Sequence, residues 1–358
     1  MSVFTEAAED KRSEDLGGHR IPRLDFELTT GCDHRCGHCY NVWNAGSGSS
    51  AGEAYPRGAL DTTAQWAMME KALDETGATH VTITGGEPLL RRDAVELIER
   101  LCARVKTVQL ITNGSHVTPE IAARFARAGL RSVQLTLLSA DRDTHDRLKG
   151  AVCFDDTVRA ALDLREAGVP VQCCFVAMRE NSGALAGVME LCLVLGIRGL
   201  SYNRMSPTGW AVDQIERLLP EVAHVEADLE IANRLAPRFQ IRVSTAMPIP
   251  PCLVRMSRYP NVNFGFCSVG SHSPNIVIDP LGNTRSCNLS STVLGNIREQ
   301  TWAEIHANPY LETFPKRVPE VCRGCAYERT CQGGCKESGA ATYGSVESPE
   351  PFVRQALP

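Results

Sequence analysis

No apolar run in this 358-residue chain approaches the roughly 20 residues that a bilayer-spanning helix needs. The N-terminus also lacks the pattern of a secretory signal, so a cytoplasmic location is expected. Positive charge is not in excess: 37 Lys and Arg against 42 Asp and Glu leave a formal charge of -5. That balance offers no general attraction for nucleic acid or an anionic membrane. Repeats of solenoid period are missing as well, which excludes a stacked-repeat architecture. Cysteine, by contrast, is abundant at 15 residues. In a chain of this length without an export signal, that points to metal–sulfur chemistry in a reducing compartment and not to disulfides.

The length suits one large domain with a smaller appendage. Residues 1–20 are mostly polar, charged and Gly-containing and read as a loosely ordered lead-in. Over 21–245, short apolar runs alternate with amphipathic stretches. The runs are Val81–Thr84, Val108–Thr112, Val133–Leu138, Val171–Val176 and Leu200–Asn203, preceded by the alternating RLDFELTT. Between them lie Thr63–Thr76, Ala94–Arg104, Glu120–Ala128, Thr157–Ala167 and Gly183–Leu195, and Gly77, Gly129, Gly168 and Gly196 sit where helices should stop. Strands separated by helices imply βα units and a parallel sheet. Six such units predict an α/β fold, an open partial (β/α)6 barrel with active groups at the C-terminal ends of its strands. A helix is expected near Trp210–Leu235, followed by a strand in FQIRVST. From 246 to 358 the texture changes to Pro, Gly, Ser, Asn and Cys, which predicts a second, cysteine-rich domain containing one hairpin in NIVIDPLGNTRSC.

Cys32, Cys36 and Cys39 stand in TTGCDHRCGHCY with spacing C-x3-C-x2-C, on the loop expected to leave the first strand. Three thiolates on a four-iron cubane leave one iron without a protein ligand, free to hold a cofactor or substrate. A structural zinc site would want four ligands, usually in paired C-x2-C units. The stretch resembles the signature of the radical S-adenosylmethionine (SAM) superfamily, with His38 in the slot usually held by an aromatic-type residue. The resemblance implies the same partial barrel, a [4Fe-4S] cluster with an open iron site, and SAM chelated by that iron. It further implies an electron from a flavodoxin- or ferredoxin-type donor, reductive cleavage of the sulfonium, and a 5′-deoxyadenosyl radical that takes hydrogen from an unactivated carbon.

GGEP at Gly85–Pro88 directly follows a strand; glycines there allow close backbone approach and Glu87 adds a carboxylate. By resemblance, Gly85, Gly86 and Glu87 contact the SAM amino group. Thr112 and Asn113 at the next strand end, and Thr136 beyond, face the same mouth as candidate ribose or methionine contacts. Leu138 replaces an Asp common in the family, so no ribose contact is assigned there. Arg204 is a candidate partner for the SAM carboxylate or substrate, with a surface arginine as the alternative.

The remaining motif is Cys267, fourteen residues, Gly282, four residues and Cys287, then Cys322, Cys325, Cys331 and Cys335 spaced C-x2-C-x5-C-x3-C. This resembles the SPASM extension of radical SAM enzymes, matching six of seven cysteine positions; no cysteine follows Cys335. The resemblance implies one or two auxiliary iron–sulfur clusters, the first on Cys267, Cys287 and Cys335, the second on Cys322, Cys325 and Cys331. Each then has three thiolates. Cys252 or His272 is expected to complete the first; Glu337, Tyr327, Glu328, water or substrate is expected to complete the second. Asn288 stands where sulfatase-maturing relatives carry an Asp base, which disfavours that reaction. Cys102, Cys153, Cys173, Cys174 and Cys192 read as small core residues. The function implied is a maturase that leaves a cross-link, oxidation or epimer in a ribosomally made peptide. With only a short lead-in, a leader peptide is expected to use a separate binding protein or the barrel surface. Two alternatives are an enzyme for a small molecule, such as an aminoglycoside-type sugar or cofactor precursor, and a non-catalytic iron–sulfur carrier.

Overall fold

The computed structural model describes residues 20–44, 55–269 and 274–357; His272 and nearly all of the lead-in lie outside the described residues. Strand β1 (Arg23–Glu27) pairs in parallel with β2 (His80–Thr84), and β3 (Thr107–Thr112), β4 (Ser132–Thr136), β5 (Val171–Ala177) and β6 (Gly199–Arg204) follow in sequence order, all parallel. Two short parallel strands, β7 (Arg242–Ser244) and β8 (Val262–Asn263), extend one edge. On the other side β9 (Asn275–Ile278) runs parallel to β1, with β10 (Asn283–Arg285) and β11 (Val293–Asn296) antiparallel beyond it. The sheet order is β11-β10-β9-β1-β2-β3-β4-β5-β6-β7-β8, an open array with two edges. The cysteine-rich segment thus adds strands to the barrel's own sheet, and the hairpin expected in NIVIDPLGNTRSC is β9–β10.

The crossovers are α1 (Thr62–Thr76), α2 (Ala94–Arg104), α3 (Pro119–Ala128), α4 (Arg142–Lys149) with α5 (Phe154–Glu166), and α6 (Leu185–Val194). Side-chain caps start three of them: Asp61 accepts from Ala64 N (2.9 Å), Thr118 from Ile121 N (3.3 Å) and Asp141 from Thr144 N (2.9 Å). Their apolar stripes bury against the sheet, with Leu97, Ile98 and Leu101 of α2 fully enclosed. In β1, Leu24 and Phe26 join this core, so the period-2 alternation turns Asp25 and Glu27 to the opposite face.

The structure adds one helix and shifts another. The Arg142–Lys149 stretch (RDTHDRLK) is too hydrophilic to read as a buried crossover, yet it forms α4, started by Asp141 and ended at Gly150. The helix expected at Trp210–Leu235 is broken before Pro220; α7 spans Val222–Phe239 with Pro237 inside its last turn, which shortens the following strand to β7.

Helix α7 packs Asp228 against β6, where its carboxylate accepts from the Tyr202 hydroxyl at 3.2 Å. Burial pushes the Asp228 carboxyl from its ordinary 3.8 up to about 7, and the Tyr202 hydrogen bond only partly offsets this. Between those two values the folded chain keeps a proton that the unfolded chain has lost. Stability therefore falls as pH rises through that window, and the cost is fully present above it. Asp228→Asn is expected to stabilise the protein by on the order of 2 kcal/mol near pH 8 and to be close to neutral near pH 4, read from urea midpoints.

Candidate active site

The three-cysteine loop leaves the C-terminal end of β1 and is laced to the tip of β2. Gly86 N donates to Thr29 O and Glu87 N to Gly31 O, both at 2.8 Å. A Cβ on Gly86 would lie 2.0 Å from Gly31 O, so no other residue fits there. The expectation that these glycines admit a ligand is thereby refined: the backbone they admit is that of the cysteine loop. Asn41 Nδ2 donates to Gly85 O at 3.0 Å, closing the loop from its far side. The segment after β6 covers the last cysteine: Ala211 N donates to Cys39 O (3.2 Å), Thr208 Oγ1 to Tyr40 O (3.0 Å), and a Cβ on Gly209 would meet Asn41 O at 2.5 Å.

Glu87 is buried, and its carboxylate is engaged within the protein. Oε1 accepts from Thr112 Oγ1 (2.7 Å) and Leu89 N (3.0 Å), and Oε2 from Asn113 N (2.7 Å). Burial raises its pKa against the pull of those three bonds. Thr112 and Asn113 therefore hold Glu87. Asn113 also reaches the cysteine loop, its Nδ2 donating to Asp33 Oδ1 at 2.7 Å, while Asp33 Oδ2 meets His116 Nε2 at 2.9 Å. His34 Nε2 lies 3.1 Å from Ser115 Oγ. Thr136 is the last residue of β4, half-buried and in register with Cys174.

Sequence reasoning missed Asp33, His34, Ser115 and His116, and above all Lys149, whose Cα ends α4. Lys149 is only 4 % exposed, and its charge acts on Cys36, Cys39, His34 and Cys174. Burial pushes the Cys32 thiol up to about 12 and Cys39 up to about 11, with Lys149 pulling Cys39 back slightly. Burial drives His38 down to about 3, so it is a neutral ring. The α4 signal available in the sequence was the Asp141 cap and the terminal Gly150.

At the end of β1, beside the root of this loop, Glu27 and Arg285 form a buried ion pair, with Arg285 over the Trp43 and Tyr55 rings and Tyr55 Oη donating to Asp279 at 3.0 Å. Asn288 Nδ2 donates to Asp25 Oδ2 at 2.9 Å, as does Asn275 Nδ2 at 2.6 Å. Burial raises the Asp25 pKa. Arg204 is not a surface residue, and its Nη1 is buried without a partner. It is fully buried, and its Nη2 donates to both carboxylate oxygens of Glu350 at 2.6 and 2.7 Å, while its Nε donates to Pro248 O at 2.9 Å.

The C-terminal cysteines fall into two groups. Cys287 feels the charges of Glu337, Cys267 and Cys335. Cys322 feels those of Cys331, Cys252 and Cys325. These neighbourhoods differ from two expectations. Cys252 stands with Cys322, Cys325 and Cys331, because the turn after Pro248 folds onto that knuckle. Glu337 stands with Cys267 and Cys287, because α8 (Lys336–Tyr343) begins immediately after Cys335; Tyr310 Oη donates to Glu337 at 2.5 Å. Tyr327 and Glu328 stay beside Cys325, with Tyr327 N donating to its Sγ at 3.5 Å and Glu328 Oε2 accepting from Gly324 N at 2.5 Å. Cys153, Cys173, Cys174 and Cys192 are buried as expected, and Cys102 is half-buried.

Residues 26–191 match the family model of the radical SAM superfamily, and 267–326 match that of an iron–sulfur cluster-binding domain, SPASM. PqqA peptide cyclase from Methylocella silvestris is 26% identical over 333 residues, covering 91% of this chain and 85% of the relative. AdoMet-dependent heme synthase from Methanosarcina barkeri is 29% identical over 355 residues, covering 92% and 96%. The crystal structure of Streptococcus suis SuiB bound to precursor peptide SuiA aligns with a TM-score of 0.71 at 17% identity, covering 93% of this chain and 76% of that one, a likeness of fold.

The chain belongs to the radical SAM superfamily and carries a SPASM domain. It is an enzyme whose cofactors are a [4Fe-4S] cluster with SAM, plus auxiliary iron–sulfur clusters in the SPASM domain. The donor set suits such clusters: all fifteen cysteines are free thiols. A zinc ion would draw its sulfurs to within about 4 Å of one another. Among the described residues only His145, Asp146 and Cys153 bring three potential ligand atoms within 4.8 Å of one another; there His145 Nδ1 accepts from Leu138 N, and Asp146 Oδ1 accepts from Cys153 N and Phe154 N. No helix among the described residues is long and apolar enough to cross a membrane.

Proposed function

We propose that the chain binds its SAM-cleaving cluster through Cys32, Cys36 and Cys39 and takes a hydrogen atom from a ribosomally made peptide, leaving a cross-link, oxidation or epimer. The observation carrying the peptide reading is the likeness to PqqA peptide cyclase across 91% of the chain. The cofactors supply one-electron cleavage of SAM, fed by a flavodoxin- or ferredoxin-type donor. The protein's own part is positional. Glu87, fixed by Thr112 and Asn113, holds the Gly85–Gly86 tip against the cysteine loop, so that tip and loop form one rigid cradle for the amino acid end of SAM. Lys149 adds a cation beside the cysteines for a carboxylate. Thr136, at the mouth of β4, is left for ribose or substrate. On β1, the strand that leads into the cysteine loop, Asp25 accepts from Asn288; this argues against sulfatase-type maturation at that position and makes the Asp25 carboxylate the candidate proton acceptor.

A second reading is a small-molecule substrate of tetrapyrrole type, favoured by the 29% identity to heme synthase over 96% of that relative. Deuterium tracing separates them. Anaerobically reconstituted enzyme with SAM and dithionite is expected to move deuterium into 5′-deoxyadenosine from a labelled peptide encoded beside its gene. Transfer from a labelled tetrapyrrole and from no peptide would replace the peptide reading with the second. An iron-replete sample that releases no 5′-deoxyadenosine would defeat both.

A further inference from the structure

We infer that Cys252 is the fourth ligand of the second auxiliary iron–sulfur cluster, completing a Cys252–Cys322–Cys325–Cys331 set in place of the cysteine missing from the end of the SPASM motif. The inference is independent of which substrate the enzyme takes.

Four observations carry it. The first is convergence: Pro250, two residues before Cys252, and the Cys322 sulfur lie against the adjacent Gly334 and Gly333, three and two residues after Cys331. The second is anchoring. Leu253 N and Val254 N both donate to Pro250 O, at 3.0 and 3.2 Å, winding 250–254 into a tight turn that presents Cys252. A Cβ on Gly334 would lie 3.4 Å from Pro250 Cγ, and one on Gly333 would lie 3.6 Å from Cys322 Sγ, so the turn rests on the Gly-Gly step inside the C-x5-C-x3-C knuckle. Arg204 fastens the same turn through Pro248 O, and its partner Glu350 accepts from Cys335 N at 3.0 Å.

The third observation concerns the competing donors. Glu328 is engaged by Gly324 N, and Glu350 by Arg204 and Cys335 N. Cys252 is the soft thiol left over, and iron in such clusters takes thiolates. The fourth is exposure: Cys252 and Cys325 are exposed, while Cys331 is buried, so the set straddles the surface. Each thiol would release its proton to solvent as its sulfur takes an iron. A cluster so placed is accessible to an electron-transfer partner, whereas none of Cys267, Cys287 and Cys335 of the first auxiliary set is exposed.

The test uses the full-length, anaerobically reconstituted enzyme. In the fully iron-loaded protein, Cys252 is expected to resist iodoacetamide as Cys322 and Cys325 do, and to become labelled with them once a chelator strips the iron. Exposed Cys252 labelling rapidly in the loaded enzyme would overturn the assignment, without any variant having to fold. In a second arm, C252A is expected to alter the EPR component of one reduced auxiliary cluster, the component also altered by C331A and untouched by C335A. A C252A spectrum identical to the parent, or one sharing its change with C335A, would refute it. So would stoichiometric zinc bound at these four residues.

Discussion

Single replacement of Cys32, Cys36 or Cys39 by alanine is expected to lower 5′-deoxyadenosine release by at least about 1000-fold, equivalent to ~4 kcal/mol in barrier. The reason is coordination number. Three thiolates leave one iron of the cubane open, whereas two leave a second iron to water and loosen the whole centre. The loop itself should survive, because its shape is fixed by backbone bonds from Gly86 and Glu87 and by the Ala211 and Thr208 contacts, none of which uses a thiol. Replacing Cys102, half-buried on α2, serves as the control and should leave release unchanged. Chromatographic assay of 5′-deoxyadenosine with dithionite and SAM, beside iron analysis, decides the matter. Parent-level turnover in any of the three variants would remove this loop from the chemistry.

The second large effect is on stability. Arg204→Met, or Glu350→Gln, is expected to cost about 3–5 kcal/mol, because it strands a charge with no access to water. Both side chains have zero exposure, and the guanidinium also stacks on Phe352 at 4.7 Å from its ring centre. Burial pushes the Glu350 carboxyl up and Arg204 draws it back. The double replacement R204M/E350L should recover part of the loss, since neither charge is then left alone; the Cys335 N–H would still lack its acceptor. Urea denaturation of the metal-free protein reads all three variants. A single variant within 1 kcal/mol of the parent would show that the pair is not the tie it resembles. Because that pair joins β6, the Pro248–Cys252 turn, Cys335 and α9 (Pro351–Arg354), the singles should also lower auxiliary iron loading.

What local spacing encodes was legible in the sequence. Alternation and amphipathic period gave the six parallel strands and most crossovers to within a few residues, because a strand or helix is specified by residues near it in the chain. The cysteine spacings and GGEP likewise carried the family on their own. Lys149 was hidden because α4 is almost wholly polar, with Leu148 its one buried apolar residue, so no apolar stripe marks it and only its caps do.

The roles that sequence alone left open are all pairings across large separations. Arg204 meets Glu350, 146 positions on. Asn288 reaches back 263 positions to Asp25. A motif lists potential ligands, but the loops between them are long enough for several partnerships to close at similar entropic cost. Packing makes the choice: Pro250 against Gly334 delivers Cys252 to one thiol group, and α8 delivers Glu337 to the other. The identity of the chemistry was thus written in short-range spacing, while the allocation of each side chain was decided by which distant backbones the folded core presses together.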